Sequence, residues 1–413
     1  MRDDSVALSL DDSGLGEVLP FAAAPRGLGT WLMRRVLGCI ENGRITIVTP
    51  GGQRFEHRAA APGPDATLVL HNWRALRRLL GGGDVGFAEG YIAGDWSSPD
   101  LVALITLTAE NVTRLQDVMD GWTPIRLLNR FKHLMKSNSE QGSRRNIAFH
   151  YDLGNDFYRH WLDRSMTYSA ALGIAPGQTL EAAQAQKLAR IGELLALTGD
   201  ETVLEIGCGW GALAIDLARQ CAGVTGVTLS AEQLAFGRQA IAAKGLADRV
   251  DLRLQDYRDV GEQFDRIVSI EMLEAVGEQY WPVYFEKLRR CLKPGGRAVL
   301  QVITIRADRY DSYRSGSDFI QRYIFPGGML PTPQIIADEA TRAGLLPGPV
   351  ETFGLGYAAT LAEWRRRFDA AWPQIAALGF DAKFRRLWDY YLCYCEAGFR
   401  AGTIDVGLYV LEG

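Results

Sequence analysis

The stretch VLEIGCGWGALA, residues 203–214, decides the fold. An apolar run enters a turn built on Gly207, Gly209 and Gly211, and a helix-forming segment begins at once. Glycines in such a turn permit a tight reversal and let a ligand approach the backbone closely. Working outward, VTGVTLS, VDLRLQDY, FDRIVSI and RAVLQVITI are short, nearly continuous apolar runs rich in Val and Ile. Strands buried on both faces must look like this. LAIDLARQCA, AEQLAFGRQAIAAKGL and YWPVYFEKLRRCLKPGG carry helical periodicity and separate them. The alternation predicts an α/β fold: a Rossmann-like, doubly wound parallel sheet with helices on both faces and ligands outside the carboxyl ends of its strands.

A glycine turn alone serves several nucleotide ligands, so its neighbours matter. Glu205 completes an E-x-G-x-G-x-G arrangement, and the next strand ends in Thr228, Leu229 and Ser230 with no acid at its tip. A nicotinamide site usually places an acid there for the ribose hydroxyls. Gln233, one turn into the following helix, can take that role. Asp256 and Tyr257, at the end of the third strand, suit an adenine amine and ring face. Together with Gly207 and Gly209 this set points to S-adenosylmethionine, which has no pyrophosphate to seat.

The chain has 413 residues, is 47% hydrophobic and 23% charged, and carries a formal net charge of -4. That length suggests two domains, and that charge gives no reason to expect a nucleic-acid partner. The six cysteines show neither a paired framework nor C-x-x-C, so no disulfide scaffold, no metal site and a reducing cytoplasm are expected. The first residues are acidic where a signal peptide is basic, and no apolar run is long enough to span a bilayer. Residues 1–115 read as a small amino-terminal α+β domain, 116–145 as a basic connector helix, and 146–413 as the catalytic domain. Between Gly121 and Arg145 the residues Arg126, Arg130, Lys132, Lys136, Arg144 and Arg145 face a single acid, Glu140, a balance that favours anionic headgroups or, more plainly, a solvated helix face.

FAEGYIAGDW, HYDLGNDFY, MTYSAA, LEIGCGWG, VTLSAEQ, IEMLEAVG, DFIQRYIFPGGMLP and CYCEAGFRAGTIDVG occur in order over residues 85–413. With these motifs the chain resembles the cyclopropane fatty-acyl phospholipid synthase family and its mycolic acid relatives. The resemblance implies the class I methyltransferase form of the sheet, with an acyl-site insertion around residues 306–333. It implies a homodimer at the inner membrane face, transferring a methyl group to the double bond of an unsaturated phospholipid. Tyr168 and Ser169 then contact the cofactor. The family also holds a bicarbonate ion as base. Its glutamate falls on Glu274, its isoleucine on Ile303 and its tyrosine on Tyr357. Its histidine falls on Gln301, its pocket cysteine on Ala170, and a tail cysteine on Cys395.

An isolated alkene is a poor nucleophile and needs alignment in a dry pocket, and the carbocation left behind is stabilised by aromatic faces such as Tyr357. A base then removes a proton from the new methyl, closing a cyclopropane ring. Gln301 still offers amide donors to bicarbonate, but no histidine follows the glycine turn, and the altered pocket leaves a second outcome: a hydride shift giving a methyl- or methylene-branched chain. Glu274 is the expected catalytic carboxylate and Glu271, three residues earlier, the weaker candidate. Cys395 has no covalent step to perform. An oxidoreductase, a small-molecule methyltransferase and a lipid-binding module are the competing classes.

Overall fold

The computed structural model describes residues 19–20, 33–34, 36–119, 153–316 and 318–413. Residues 120–145 of the basic connector and His150, Tyr151 and Asp152 lie outside the described residues. Contacts divide the chain into two compact units, Met1–Met119 and Asp120–Gly413.

In the first unit, strands β1 (Leu19–Pro20), β2 (Asn42–Val48), β3 (Arg54–Arg58), β4 (Ala61–Leu70) and β5 (Trp96–Ser97) form a mixed sheet in the order β1-β3-β2-β4-β5. Helix α1 (Arg74–Ile92) is broken at Gly83, whose φ of 61° and ψ of -138° lie outside the helical region, where the run of three glycines predicts a break. Helices α2 (Leu101–Glu110) and α3 (Val112–Met119) follow, and α3 runs through residue 115, where the sequence suggests a boundary. The FAEGYIAGDW motif is structural: Trp96 is fully buried, stacks on Phe87 at 4.1 Å and donates to its carbonyl at 2.8 Å, while buried Asp95 accepts from Asn72 and Arg78.

The second unit holds a seven-stranded sheet. Short helix α4 (Asn155–Arg159) and α5 (Leu180–Leu195) precede β6 (Thr202–Ile206), α6 (Ala212–Leu217), β7 (Gly223–Thr228), α7 (Ala231–Ala243), β8 (Val250–Leu254) and β9 (Phe264–Ile270). Then come α8 (Leu273–Val276), α9 (Trp281–Cys291), β10 (Leu292–Ile305), α10 (Ala307–Ser315), a π-helical turn (Ile320–Ile324) and α11 (Pro333–Arg342). Strand β11 (Leu346–Thr352), helices α12 (Gly354–Ala370), α13 (Trp372–Ala377) and α14 (Ala382–Arg400), and strand β12 (Ile404–Glu412) complete the unit.

The strand order is β11-β12-β10-β9-β6-β7-β8. All five apolar runs read from the sequence are strands, and they pair in parallel. The sheet is not parallel throughout, however. β12 lies antiparallel between β10 and β11, in register from Arg297 against Glu412 to Ile305 against Ile404. Successive residues of β6 feed opposite faces, Leu204 and Ile206 into the core under α9 and α11, Val203 into the core under α5 and α6, so both faces are covered, as a parallel sheet requires. Strand order reverses between β6 and β9, and their carboxyl ends are where such a fold places its ligand. Among the described residues no helix is long and apolar enough to cross a membrane.

Candidate active site

Gly207 leaves β6 with a φ of 81°, and its amide and that of Cys208 donate to the Val227 carbonyl, tying the turn to β7. A Cβ on Gly207 would sit 2.4 Å from Met272, whereas one on Gly209, at φ 50°, would meet nothing within 4 Å. The turn is therefore closed on one side by packing and open on the other, as a cradle for a ligand is. Behind it Glu205 is 3% exposed with Oε2 unpartnered, and burial pushes its carboxyl up to about 8. Beside it, Thr228 donates to Gln233 Oε1 at 2.9 Å, and Ser230 caps α7. Leu229 follows β7, half-buried. Asp256 is gripped by Arg258 at 2.6 Å, and the Tyr257 ring lies beside Tyr284. The open cradle with polar ends on β7 and β8 fits a nucleoside with a charged sulfur tail.

The segment before α5 is laid over this turn. Asn155 accepts from Trp210 Nε1 at 2.6 Å and the Tyr158 ring packs 5.2 Å from that indole. Tyr168 is held by rings on three sides, Tyr158, Trp161 and Trp364, each 5.4–5.5 Å away, and shares a hydroxyl hydrogen bond with Tyr391. Ser169 is buried. The sequence singles out Tyr168 and Ser169 through motifs; Asn155 and Trp210 also lie in quoted motifs, but nothing in the sequence pairs them across 55 positions.

At the exit of β9 the chain makes a rarer turn. Glu271 has a φ of 51°, a left-handed conformation that costs a side-chain-bearing residue about 1 kcal/mol or more and is found where function over-determines the backbone. The turn directs its carboxylate toward the segment before α5, β10 and α12. Oε1 accepts from the Ala170 amide at 3.0 Å and from Gln301 Nε2 at 2.7 Å; Oε2 accepts from the Tyr357 hydroxyl at 2.8 Å. The Glu271 amide donates back to the Gln301 carbonyl. Glu274 lies apart from this set, its Oε1 accepting from the Ile303 amide at 2.5 Å and its Oε2 unpartnered.

The geometry gathers three donors on Glu271 and one on Glu274. Ala170, Gln301 and Tyr357, three of the groups that the family resemblance allots to bicarbonate, converge on the chain's own Glu271 carboxylate, while a fourth, Ile303, gives its amide to Glu274. A separate bicarbonate does not fit that donor set. Burial raises both carboxyls, and the like charge of Glu271 helps push Glu274 up to about 8. Three donors favour the anion at Glu271, so of the two Glu271 is the ionised member and Glu274 the protonated one. Burial and the Glu271 charge hold the Tyr357 phenol well above its ordinary value, so it remains a donor. Burial likewise raises the Cys395 thiol, with Asp318 and Glu271 adding to it; a thiol held protonated is a poor nucleophile.

The family model described as mycolic acid cyclopropane synthetase matches residues 138–408. The tuberculostearic acid methyltransferase of Mycobacterium tuberculosis is 40% identical over 94% of this chain and 91% of its own. The cyclopropane-fatty-acyl-phospholipid synthase of Escherichia coli strain K12 is 36% identical over 83% of this chain and 86% of its own. Among solved structures, mycolic acid cyclopropane synthase CmaA1 complexed with SAH and CTAB superposes with a TM-score of 0.61 at 30% identity, covering 65% of this chain and 98% of that one.

Proposed function

The chain belongs to the mycolic acid cyclopropane synthetase family, and from that premise we propose that it methylates the double bond of an unsaturated phospholipid acyl chain and releases a branched chain that is still unsaturated, with a methylene or a methyl group at the branch, rather than a ring. It is an S-adenosylmethionine-dependent methyltransferase of lipids. Bound in the glycine cradle, that co-substrate supplies a sulfonium methyl.

The observation that carries the product assignment is the Glu271 carboxylate fixed by three donors. The alkene's π electrons form the new carbon-carbon bond to the methyl, leaving a cation on the adjacent acyl carbon. The aromatic wall around Tyr168 lowers its energy. Ring closure needs a base to take a proton from the new methyl before anything else moves. A carboxylate with both oxygens already accepting hydrogen bonds is a weakened base, and one anchored to the β9 exit cannot follow the methyl. The cation then lasts long enough for the neighbouring hydride to migrate, which converts a secondary cation into a more stable tertiary one. Glu271 accepts the proton lost afterwards, and the product keeps one double bond at the branch. The 40% identity to a tuberculostearic acid methyltransferase supports the same reading.

Lipids from cells expressing the chain test this. Ring and branch add the same mass, one CH2, but mild hydrogenation adds hydrogen to a branched alkene and leaves a cyclopropane intact. Uptake of hydrogen by the new species is expected; a product that resists it and fragments as a ring would assign cyclopropane formation instead. Small-molecule methylation predicts no modified acyl chain at all.

The substrate places the reaction at a membrane surface, and residues 121–145 supply the positive charge to reach an anionic one. Neutralising Arg126, Arg130, Lys132 and Lys136 together is expected to weaken binding to anionic vesicles, most strongly at low salt, where screening is least. Equal binding by the quadruple variant at low salt would remove the segment from the account.

A further inference from the structure

Helix α5 presents two polar side chains where its apolar stripe should continue. Ala183, Leu188, Ile191 and Leu195 face the interior, and Gln184 and Lys187 lie in the same stripe, each 1% exposed. Gln184 Nε2 donates to the Ser169 carbonyl at 2.8 Å, and Lys187 Nζ donates to Ser169 Oγ at 2.6 Å. The next residue along, Ala170, gives its amide to Glu271. Two side chains one turn apart on α5 thus clamp the peptide that holds the carboxylate.

A buried ammonium is expensive unless acids offset it. Three carboxylates act on Lys187: Glu271 at the exit of β9, Asp163 on the segment before α5, and Glu205 at the end of β6. Asp163 is engaged by the Ser165 and Thr167 amides, and Glu205 is held toward its neutral form by burial. Neither takes part in the proton transfer. Glu271 does, and it is the anion that a nearby fixed cation can keep charged in a dry pocket.

We propose that Lys187 is a positioning residue for the reaction: its ammonium keeps Glu271 ionised, and its grip on Ser169 keeps the Ala170 amide directed at that carboxylate. Burial lowers the Lys187 ammonium to about 8 despite these three acids, so it acts as a cation below that pH, and it forms no bond to substrate. The inference rests on the reading of Glu271 as base.

The test is the pH dependence of turnover, measured with purified full-length chain, S-adenosylmethionine and vesicles of an unsaturated phospholipid. The acid limb of the rate profile reports ionisation of Glu271. Removing a neighbouring cation makes a carboxyl harder to ionise. Lys187→Met should therefore move that limb to higher pH by about one unit, which is a tenfold loss of turnover on the limb, with recovery in more alkaline buffer. Gln184→Leu breaks the other half of the clamp without touching charge and should leave the limb in place. If Lys187→Met does not fold, Lys187→Gln is read instead, since it keeps a donor for Ser169 and removes the charge. An unmoved limb in a folded uncharged variant overturns the proposal. So does an equal shift in Gln184→Leu, or collapse of both uncharged variants, because the role would then be structural. Glu271→Gln separates the two claims: turnover surviving in it defeats the base assignment, whereas an inactive Glu271→Gln with an unmoved Lys187→Met limb defeats only the role of Lys187.

Discussion

Glu271→Gln is expected to lower methylation of unsaturated phospholipid by about a thousandfold, the scale that loss of a general base carries, while S-adenosylmethionine affinity stays near the wild-type value. The amide matches the carboxylate in shape and still accepts from Ala170 and Gln301, so the pocket keeps its form. It cannot take a proton. Glu274→Gln makes the contrast. Burial and the Glu271 charge push that carboxyl up to about 8, and it accepts one backbone amide, from Ile303, which glutamine also satisfies, so most of the turnover should remain. Steady-state rates with a separate binding titration check both. Loss of activity in Glu274→Gln with retention in Glu271→Gln would exchange the two roles.

The second large effect is expected at a residue that touches no substrate. Gly356, at the start of α12, brings the backbone so close to the preceding segment that a Cβ would lie 2.0 Å from the Leu172 carbonyl oxygen and 2.6 Å from its carbon. Backbone cannot swing aside as a flexible side chain can. The same junction is tied by the Ala171 amide on Thr360 Oγ1 and by Thr360 on the Gly356 carbonyl. Gly356→Ala must push α12 away, and Tyr357 is the next residue. Overpacking of this kind costs about 3 kcal/mol, and displacing a catalytic group by about 1 Å costs on the order of a hundredfold in rate. Thermal unfolding and turnover should fall together. A variant with unchanged melting and activity would mean that α12 is not fixed by this contact.

Much of this architecture is legible in the sequence. The five parallel strands announce themselves because burial on both faces demands unbroken apolar runs, and the glycine turn because its spacing has a mechanical purpose. Strand β12 is hidden: IDVGLYVLE reads apolar enough, but its place between β10 and β11 depends on a reversal no local pattern encodes. Strand β11, LPGPVET, carries two prolines and a glycine that argue against a strand, and it sits at the sheet edge, where proline is tolerated. Within the site, family motifs lead to Tyr357, Gln301 and Ala170 but assign their donors to an external ion. The left-handed turn at Glu271 brings the chain's own carboxylate to these donors, which lie 30, 86 and 101 positions away in sequence. Lys187 escapes for a similar reason: in LEAAQAQKLARIGELL it resembles any solvated helix lysine.

Glycine at position 271 gives the most direct test. A φ of 51° suits glycine, so Glu271→Gly should preserve the backbone and release the three donors together. Turnover is then measured in carbon-dioxide-free buffer and again with added bicarbonate. Wild type should be indifferent to bicarbonate, and Glu271→Gly should be inactive without it and partly restored by it. A wild-type enzyme that stops when bicarbonate is removed would contradict the assignment of Glu271 as the resident base.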